Sequence, residues 1–236
     1  MRIKHLLPAL LLFLATGAAE AQSPGPRFPD PGQQHADPLR GKRIGVIGDS
    51  YVRNHQEPVE NTWHYKFARK HGMEYHNYGI NGNCVSVSRE SYYGEAMYLR
   101  YKEMRDSLDY IVVIAGHNDA SLLDTIGIER YKEKLAILCG GLIEKYPTAK
   151  IFFFTCWTQK NFVGSNFQKV VDATLEVCGA HSIPVFDSAR RGNIFAQNDR
   201  FRQIYFQNQG RGDRAHLNAR GHDRFLPCAE AFLLQY

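Results

Sequence analysis

The sequence predicts an α/β domain built on a parallel sheet of about five strands, with helices on both faces. Three observations carry this. Short apolar runs without alternation occur along the chain, the clearest being Asp109–Ala115 (DYIVVIA), and such runs fit strands buried on both faces. Between them, apolar residues recur every three or four positions, the period of a helix with one buried stripe. Strand-like and helix-like segments alternate, which is the pattern of βαβ units.

The first 21 residues predict an export signal. Met1–His5 is basic, Leu6–Phe13 is apolar apart from Pro8, and small residues lead to Ala19-Glu20-Ala21, with cleavage expected before Gln22. The apolar run is too short to span a bilayer, so stable membrane insertion is not expected. Residues 22–40 hold Pro24, Pro26, Pro29, Pro31 and Pro38 with few apolar partners, which predicts an extended tether. Compact structure is expected over residues 41–236, a length suited to one well-cored domain.

Within that domain, Lys42–Gly48 reads as a first strand stopped by glycine, residues 60–71 as a helix and Glu74–Tyr78 as a weaker strand. Residues 92–106 read as a helix before the strand at Asp109–Ala115. The best helix runs over 128–146, where Ile128, Tyr131, Leu135, Leu138, Leu142 and Tyr146 share a face and Pro147 ends it. Lys150–Cys156 and Ile183–Phe186 read as further strands, separated by a helix marked by Val170, Val171, Leu175 and Cys178. Residues 187–212 read as a long polar loop, and Asn218 as the N-cap of a last helix.

The formal net charge of +5 is spread along 236 residues, so a nucleic-acid partner is not expected. The five cysteines include no C-x-x-C pair, so no metal or redox motif is present. Cys139, Cys178 and Cys228 fall in apolar helical patterns and read as small buried hydrophobes; their pairing is not legible.

Four short motifs sit at predicted strand ends or in the last loop: Gly48-Asp49-Ser50, Gly82, Gly116-His117-Asn118-Asp119 and Asp213-Arg214-Ala215-His216. In open parallel sheets ligands bind at the carboxyl ends of strands, so the motifs should share one rim. A serine hydroxyl needs an adjacent base to act as a nucleophile. His216 can supply it, because Asp213 three residues earlier can fix the tautomer of the ring. Gly82 can present a backbone N–H without obstruction, Asn118 its side-chain amide, and Ser50 its own N–H, the kinds of donor that stabilise an oxyanion. Each motif alone also fits a plain structural role: a capping serine, a solvated acid, a turn glycine, a loop asparagine.

The residues GDS at 48–50, NYGINGNC at 77–84, GHND at 116–119 and DRAH at 213–216 resemble the SGNH (GDSL-type) hydrolases, in order, across nearly all of residues 41–236. The resemblance implies a three-layer α/β/α sandwich like that of flavodoxin. It implies Ser50 as nucleophile with Asp213 and His216 as the rest of a triad, and Ser50, Gly82 and Asn118 as the oxyanion hole. It implies no metal and no cofactor. Tyr51 stands where the family often has Leu, Ile or Thr, which alters a pocket wall. His117, at a position variable in the family, is a candidate substrate contact, as are Tyr51, Arg190 and Arg191.

The expected reaction is hydrolysis of short-chain acyl esters, foremost O-acetyl groups on carbohydrate, through an acyl-enzyme on Ser50. The arginines and aromatics of 187–212 would suit a glycan with some acidic character, and the export signal suits a periplasmic or extracellular polymer. The alternatives are a lipid or lysophospholipid acyl hydrolase, and a catalytically silent glycan-binding module on the same fold.

Overall fold

The computed structural model describes residues 37–157 and 161–236. The expected export signal and residues 22–36 of the expected tether lie outside the described residues. The chain forms β1 (Arg43–Gly48), α1 (Ser50–Arg53), α2 (Trp63–Lys70), β2 (Glu74–Gly79), α3 (Met97–Arg100), β3 (Tyr110–Ile114), α4 (His117–Ser121) and α5 (Leu123–Ile126). These are followed by α6 (Ile128–Lys145), β4 (Lys150–Phe154), α7 (Asn166–Ala180), β5 (Val185–Phe186), α8 (Ser188–Arg191), α9 (Asp199–Tyr205) and α10 (Ala219–Leu233).

The five strands make one sheet in the order β2-β1-β3-β4-β5, parallel throughout. The apolar runs of β1, β3 and β4 are the central strands, and alternate residues feed opposite faces. Val112, Ile114, Phe152 and Phe154 join Trp63, Phe67, Phe225 and Phe232 in a core under α2 and α10. Ile111, Val113 and Phe153 join Leu135, Leu138, Leu142 and Val170 in a second core under α6 and α7. Two cores on two faces make the three layers. β2 is the polar strand because it is an edge, where one side meets water.

The order places a topological switch at β1: the chain leaves it toward β2 and returns on its other side as β3. The crevice at the carboxyl ends of such a pair is the binding position of open α/β sheets.

Three expectations need correction. Residues 37–40, expected in the tether, belong to the packed structure: Leu39 is buried in the first core and Asp37 bonds the His71 ring at 2.7 Å. Residues 92–106 are not one helix. Gly94 adopts φ +69°, which ends the helical path, and the Asn83 amide holds the carbonyls of Tyr93 and Glu95 at 2.7 Å each. Only the short α3 and flanking 3-10 turns remain. The stretch 187–212 is not an open loop either. Asp187 and Asn198 cap α8 and α9, whose side-chain bonding the apolar period does not reveal.

All five cysteines are free thiols. Cys139 of α6 and Cys178 of α7 are fully buried and face each other at 3.9 Å between sulfurs.

Candidate active site

Ser50 lies one residue past the end of β1, as the first residue of α1. The Asp49 carboxylate caps that helix by accepting the Tyr51 N–H at 2.9 Å. As a first-turn residue, Ser50 has an N–H that no helical carbonyl can take.

Opposite it, residues 207–216 form an excursion pinched at its neck by a bridge between Phe206 and Leu217. Buried Gln207 clamps the neck. Its amide donates to the backbone oxygens of Asn54 and Leu217 and to Asn54 Oδ1, each at 3.1 Å, and its N–H donates to the His216 carbonyl. Asn54 lies four residues after Ser50, so this one side chain ties the serine turn to the histidine turn.

The result is a continuous relay. His216 Nε2 lies 2.7 Å from Ser50 Oγ, and His216 Nδ1 lies 2.9 Å from Asp213 Oδ2. The carboxylate can only accept, so Nδ1 carries the proton and Nε2 accepts from the serine hydroxyl. Asp213 Oδ1 accepts the backbone N–H groups of Ala215 and His216 at 2.9 Å. Burial works to raise the Asp213 pKa. The hydrogen bond and charge of His216, with those two N–H groups, outweigh it and hold the carboxyl below its usual range.

Gly82 follows β2 with φ +72°, and a Cβ there would come within 2.4 Å of the Tyr93 ring, so the position requires glycine. Asn118 sits at the start of α4, after β3, and its amide donates to the Asn83 carbonyl at 3.0 Å, locking it to the Gly82 turn. Its other amide hydrogen points to Asp49 Oδ2 at 3.3 Å. Both hydrogens are therefore engaged, and the longer bond to Asp49 is the one an oxyanion would have to replace. Burial, and then the neighbouring Asp119 charge, push the Asp49 pKa up to about 7 against the Tyr51 hydrogen bond and Arg100.

The relay faces a cleft of about 560 Å³ lined by His55, Gln56, His117, Phe167, Arg211 and Arg214, among others. Residues 46–224 match the GDSL-like lipase/acylhydrolase family. The chain belongs to this family. It is thus an ester hydrolase by family. Its fold is shared by a protein from Lactobacillus plantarum at 21% identity and a TM-score of 0.71, covering 84% of this chain and 99% of that one. A carbohydrate acetylesterase from Sinorhizobium meliloti aligns at 14% identity and a TM-score of 0.60, covering 83% and 100%. A carbohydrate esterase family 2 enzyme from Corynascus aligns at 16% identity and a TM-score of 0.62, covering 84% and 67%. No curated protein matches the chain.

The four candidate substrate contacts fare differently in this family member. His117 lines the cleft, and burial, then repulsion from His216, lower its pKa to about 4, so it is neutral near pH 7. Tyr51 does not line it. The ring is buried against Trp157, with centroids 4.7 Å apart, and the hydroxyl lies 3.1 Å from His117 Nδ1. Arg190 is held by Asp172 and Asp187 at 2.5 and 2.7 Å, and Arg191 lies over Phe186. Neither lines the cleft.

Sequence reasoning missed three residues that matter here. His55 stacks on His216 with centroids 4.2 Å apart and an interplanar angle of 10°. Its burial, then the charge of His216, lower its pKa. Buried Arg100 donates to the carbonyls of Gly48 and Tyr78 and to Asn83 Oδ1, joining the ends of β1 and β2 to the Gly82 turn. Gln207 is the third. No local pattern marks these side chains, because all their partners are distant in sequence. His55, Asp213 and His216 also bring one ligand atom each within 4.8 Å of one another, the arrangement among the described residues that could hold a metal ion. An ion there would compete with Ser50 and Asp213 for the His216 ring nitrogens.

Proposed function

We propose that the protein is an exported serine esterase that removes short acyl groups, acetyl foremost, from carbohydrate hydroxyls. The observation that carries this is the unbroken Ser50–His216–Asp213 relay opening onto a polar cleft. In the proposed reaction, Ser50 Oγ attacks the ester carbonyl while His216 Nε2 takes the hydroxyl proton. Asp213 holds the ring and stabilises the imidazolium. The oxyanion rests on the N–H groups of Ser50 and Gly82 and on the Asn118 amide, which releases Asp49 to reach it. His216 then protonates the leaving alcohol, and water activated by the same ring frees the acid from Ser50.

The cleft lining supports the substrate class. Of the side chains that line the cleft only Phe167 and Ala215 are apolar, which suits hydroxyl-rich alcohols rather than long acyl chains. No helix among the described residues is long and apolar enough to cross a membrane. Two proteins of like fold act on carbohydrate esters by their descriptions, which agrees with the reading. The export rests on residues 1–21.

The test is turnover of p-nitrophenyl acetate, butyrate and octanoate by the purified protein, together with acetate release from acetylated glycans and Ser50→Ala as control. Ser50-dependent turnover that favours acetate is expected. No Ser50-dependent turnover of any ester would sink the enzymatic reading. A preference for octanoate would replace it with the lipid one.

A further inference from the structure

The proposed esterase leaves open which alcohol the acyl group is removed from. Two charges in the cleft bear on this. Arg211 and Arg214 both line it, both are exposed, and neither forms an ion pair among the described residues. Arg43, Arg89, Arg105, Arg190 and Arg202 pair with carboxylates, whereas several others, such as Arg130 and Arg200, form no ion pair among the described residues either; what sets Arg211 and Arg214 apart is that they line the cleft. The one acid of the cleft lining, Asp213, is committed to His216 and two backbone N–H groups. The cleft thus carries two uncompensated positive charges.

Arg211 is placed by a hydrogen-bonded turn. Arg211 follows a turn in which Asn208 and Gln209, neither of them glycine, adopt φ of 50° and 55°. Such backbone is unfavourable for residues other than glycine and persists only where its surroundings enforce it. Here the Gln207 clamp and the Phe206–Leu217 bridge enforce it. The Arg211 N–H closes the turn on the Asn208 carbonyl at 3.0 Å.

Chemistry places the leaving alcohol on this side. His216 must hand its proton to the departing oxygen, so the alcohol faces the excursion that carries His216. Arg211 and Arg214 belong to that same excursion. Both therefore lie on the alcohol side of the scissile bond.

We propose that Arg211 and Arg214 form an anion subsite, and that the alcohol portion of the substrate is a sugar bearing a carboxylate. A guanidinium matches a carboxylate through two parallel N–H bonds, which gives direction as well as attraction. The neutral residues beside them, Gln56, Asn208 and His117, are suited to the sugar hydroxyls. The inference rests on the esterase reading for its reaction, but not for its binding.

The test uses a matched pair: the O-acetylated methyl glycoside of galacturonic acid with its carboxylate free, and the same acetylated methyl galactoside, which differ in a carboxylate against a hydroxymethyl. The wild-type protein should show a higher kcat/KM on the uronate. In the Arg211→Gln/Arg214→Gln protein that ratio should fall by about tenfold or more, as for loss of a charge-assisted contact. Arg190→Gln, which removes the same charge outside the cleft, should leave the ratio as it was. Equal kcat/KM on the two esters, or an equal fall in Arg190→Gln, would overturn the subsite.

Binding supplies an arm free of catalysis. Calorimetry on Ser50→Ala protein should detect the acetylated uronate, and the added Arg211→Gln and Arg214→Gln changes should abolish it. Uronate binding without turnover of either ester would leave the subsite standing and defeat the esterase. Turnover of both esters with no arginine-dependent preference or binding would do the reverse.

Discussion

At the scale of single residues, the proposed chemistry depends on one ring held between two oxygens. Asp213→Asn should keep the shape of the relay but let the amide donate to Nδ1, which selects the tautomer that cannot accept from Ser50. Turnover on p-nitrophenyl acetate should fall by about 10³- to 10⁴-fold with circular dichroism unchanged; a loss under tenfold would remove Asp213 from the triad. Gly82→Ala sets a Cβ 2.3 Å from the Tyr93 ring and in a left-handed backbone. It should lose both stability and turnover, and adding Tyr93→Ala should recover part of the stability while leaving the backbone strain. His55 makes a different prediction. Micromolar Zn²⁺ should inhibit by binding His55, Asp213 and His216, and His55→Ala should weaken that inhibition, as read from inhibition curves.

At the scale of elements, the site depends on joints between segments distant in sequence. Gln207 joins α1 to the strand-like neck before α10; its removal strands the Leu217 carbonyl and leaves the Asn54 carbonyl with the Glu57 N–H alone. Gln207→Ala should cost about 1–3 kcal/mol in urea unfolding, the penalty of an unpaired buried acceptor. It should also lower kcat more than it raises KM, because the Ser50–His216 distance is what it sets. A stability loss with unchanged kcat would make Gln207 only a brace. Arg100 is the matching joint on the other side, where burial lowers its pKa to about 10 and it remains charged at neutral pH. Both joints are invisible to a reading by period. The break at Gly94 and the caps at Asp187 and Asn198 are harder still, since glycine and asparagine in a polar stretch fit loop and cap equally well.

At the scale of the whole molecule, buried titrating groups oppose one another. Burial lowers His64 to about 3 and His117 to about 4, and holds His222 well below its usual value. His222 shows why: its Nδ1 accepts the Trp63 N–H, leaving Nε2–H to donate to Asn54, so only the neutral ring satisfies both. Below pH 6.5 the unfolded chain binds protons that these folded rings refuse, so their stabilisation is complete above that pH and lost as it falls toward 4. Asp49, raised to about 7, acts in the opposite sense, favouring the fold at low pH and losing that contribution as pH rises through 7. Three histidines against Asp49 and Asp119, whose carboxyl burial also raises, predict a net but shallow loss on acidification. Urea unfolding between pH 7 and 4.5 should show it, and Asp49→Asn should make the loss steeper. An unaltered or shallower slope in that variant would mean that Asp49 is ionised throughout.

The sequence by itself determined the layers and the rim. The buried runs of β1, β3 and β4 and the single-faced α6 are local signals of burial, and motifs placed after strands must meet at one end of a parallel sheet. Ser50, His216 and Asp213 were legible because their spacing and their neighbours follow from that geometry. Tertiary structure alone decided which like residues serve the cleft. Arg190 and Arg211 carry the same charge in the same polar stretch, yet one is tied to Asp172 and Asp187 and the other faces the cleft. It alone stacked His55 on His216 and turned the second Asn118 hydrogen toward Asp49. Period and motif report what each segment buries. Which side chains meet across 150 residues of chain depends on how the segments close upon one another, and only the folded molecule contains that information.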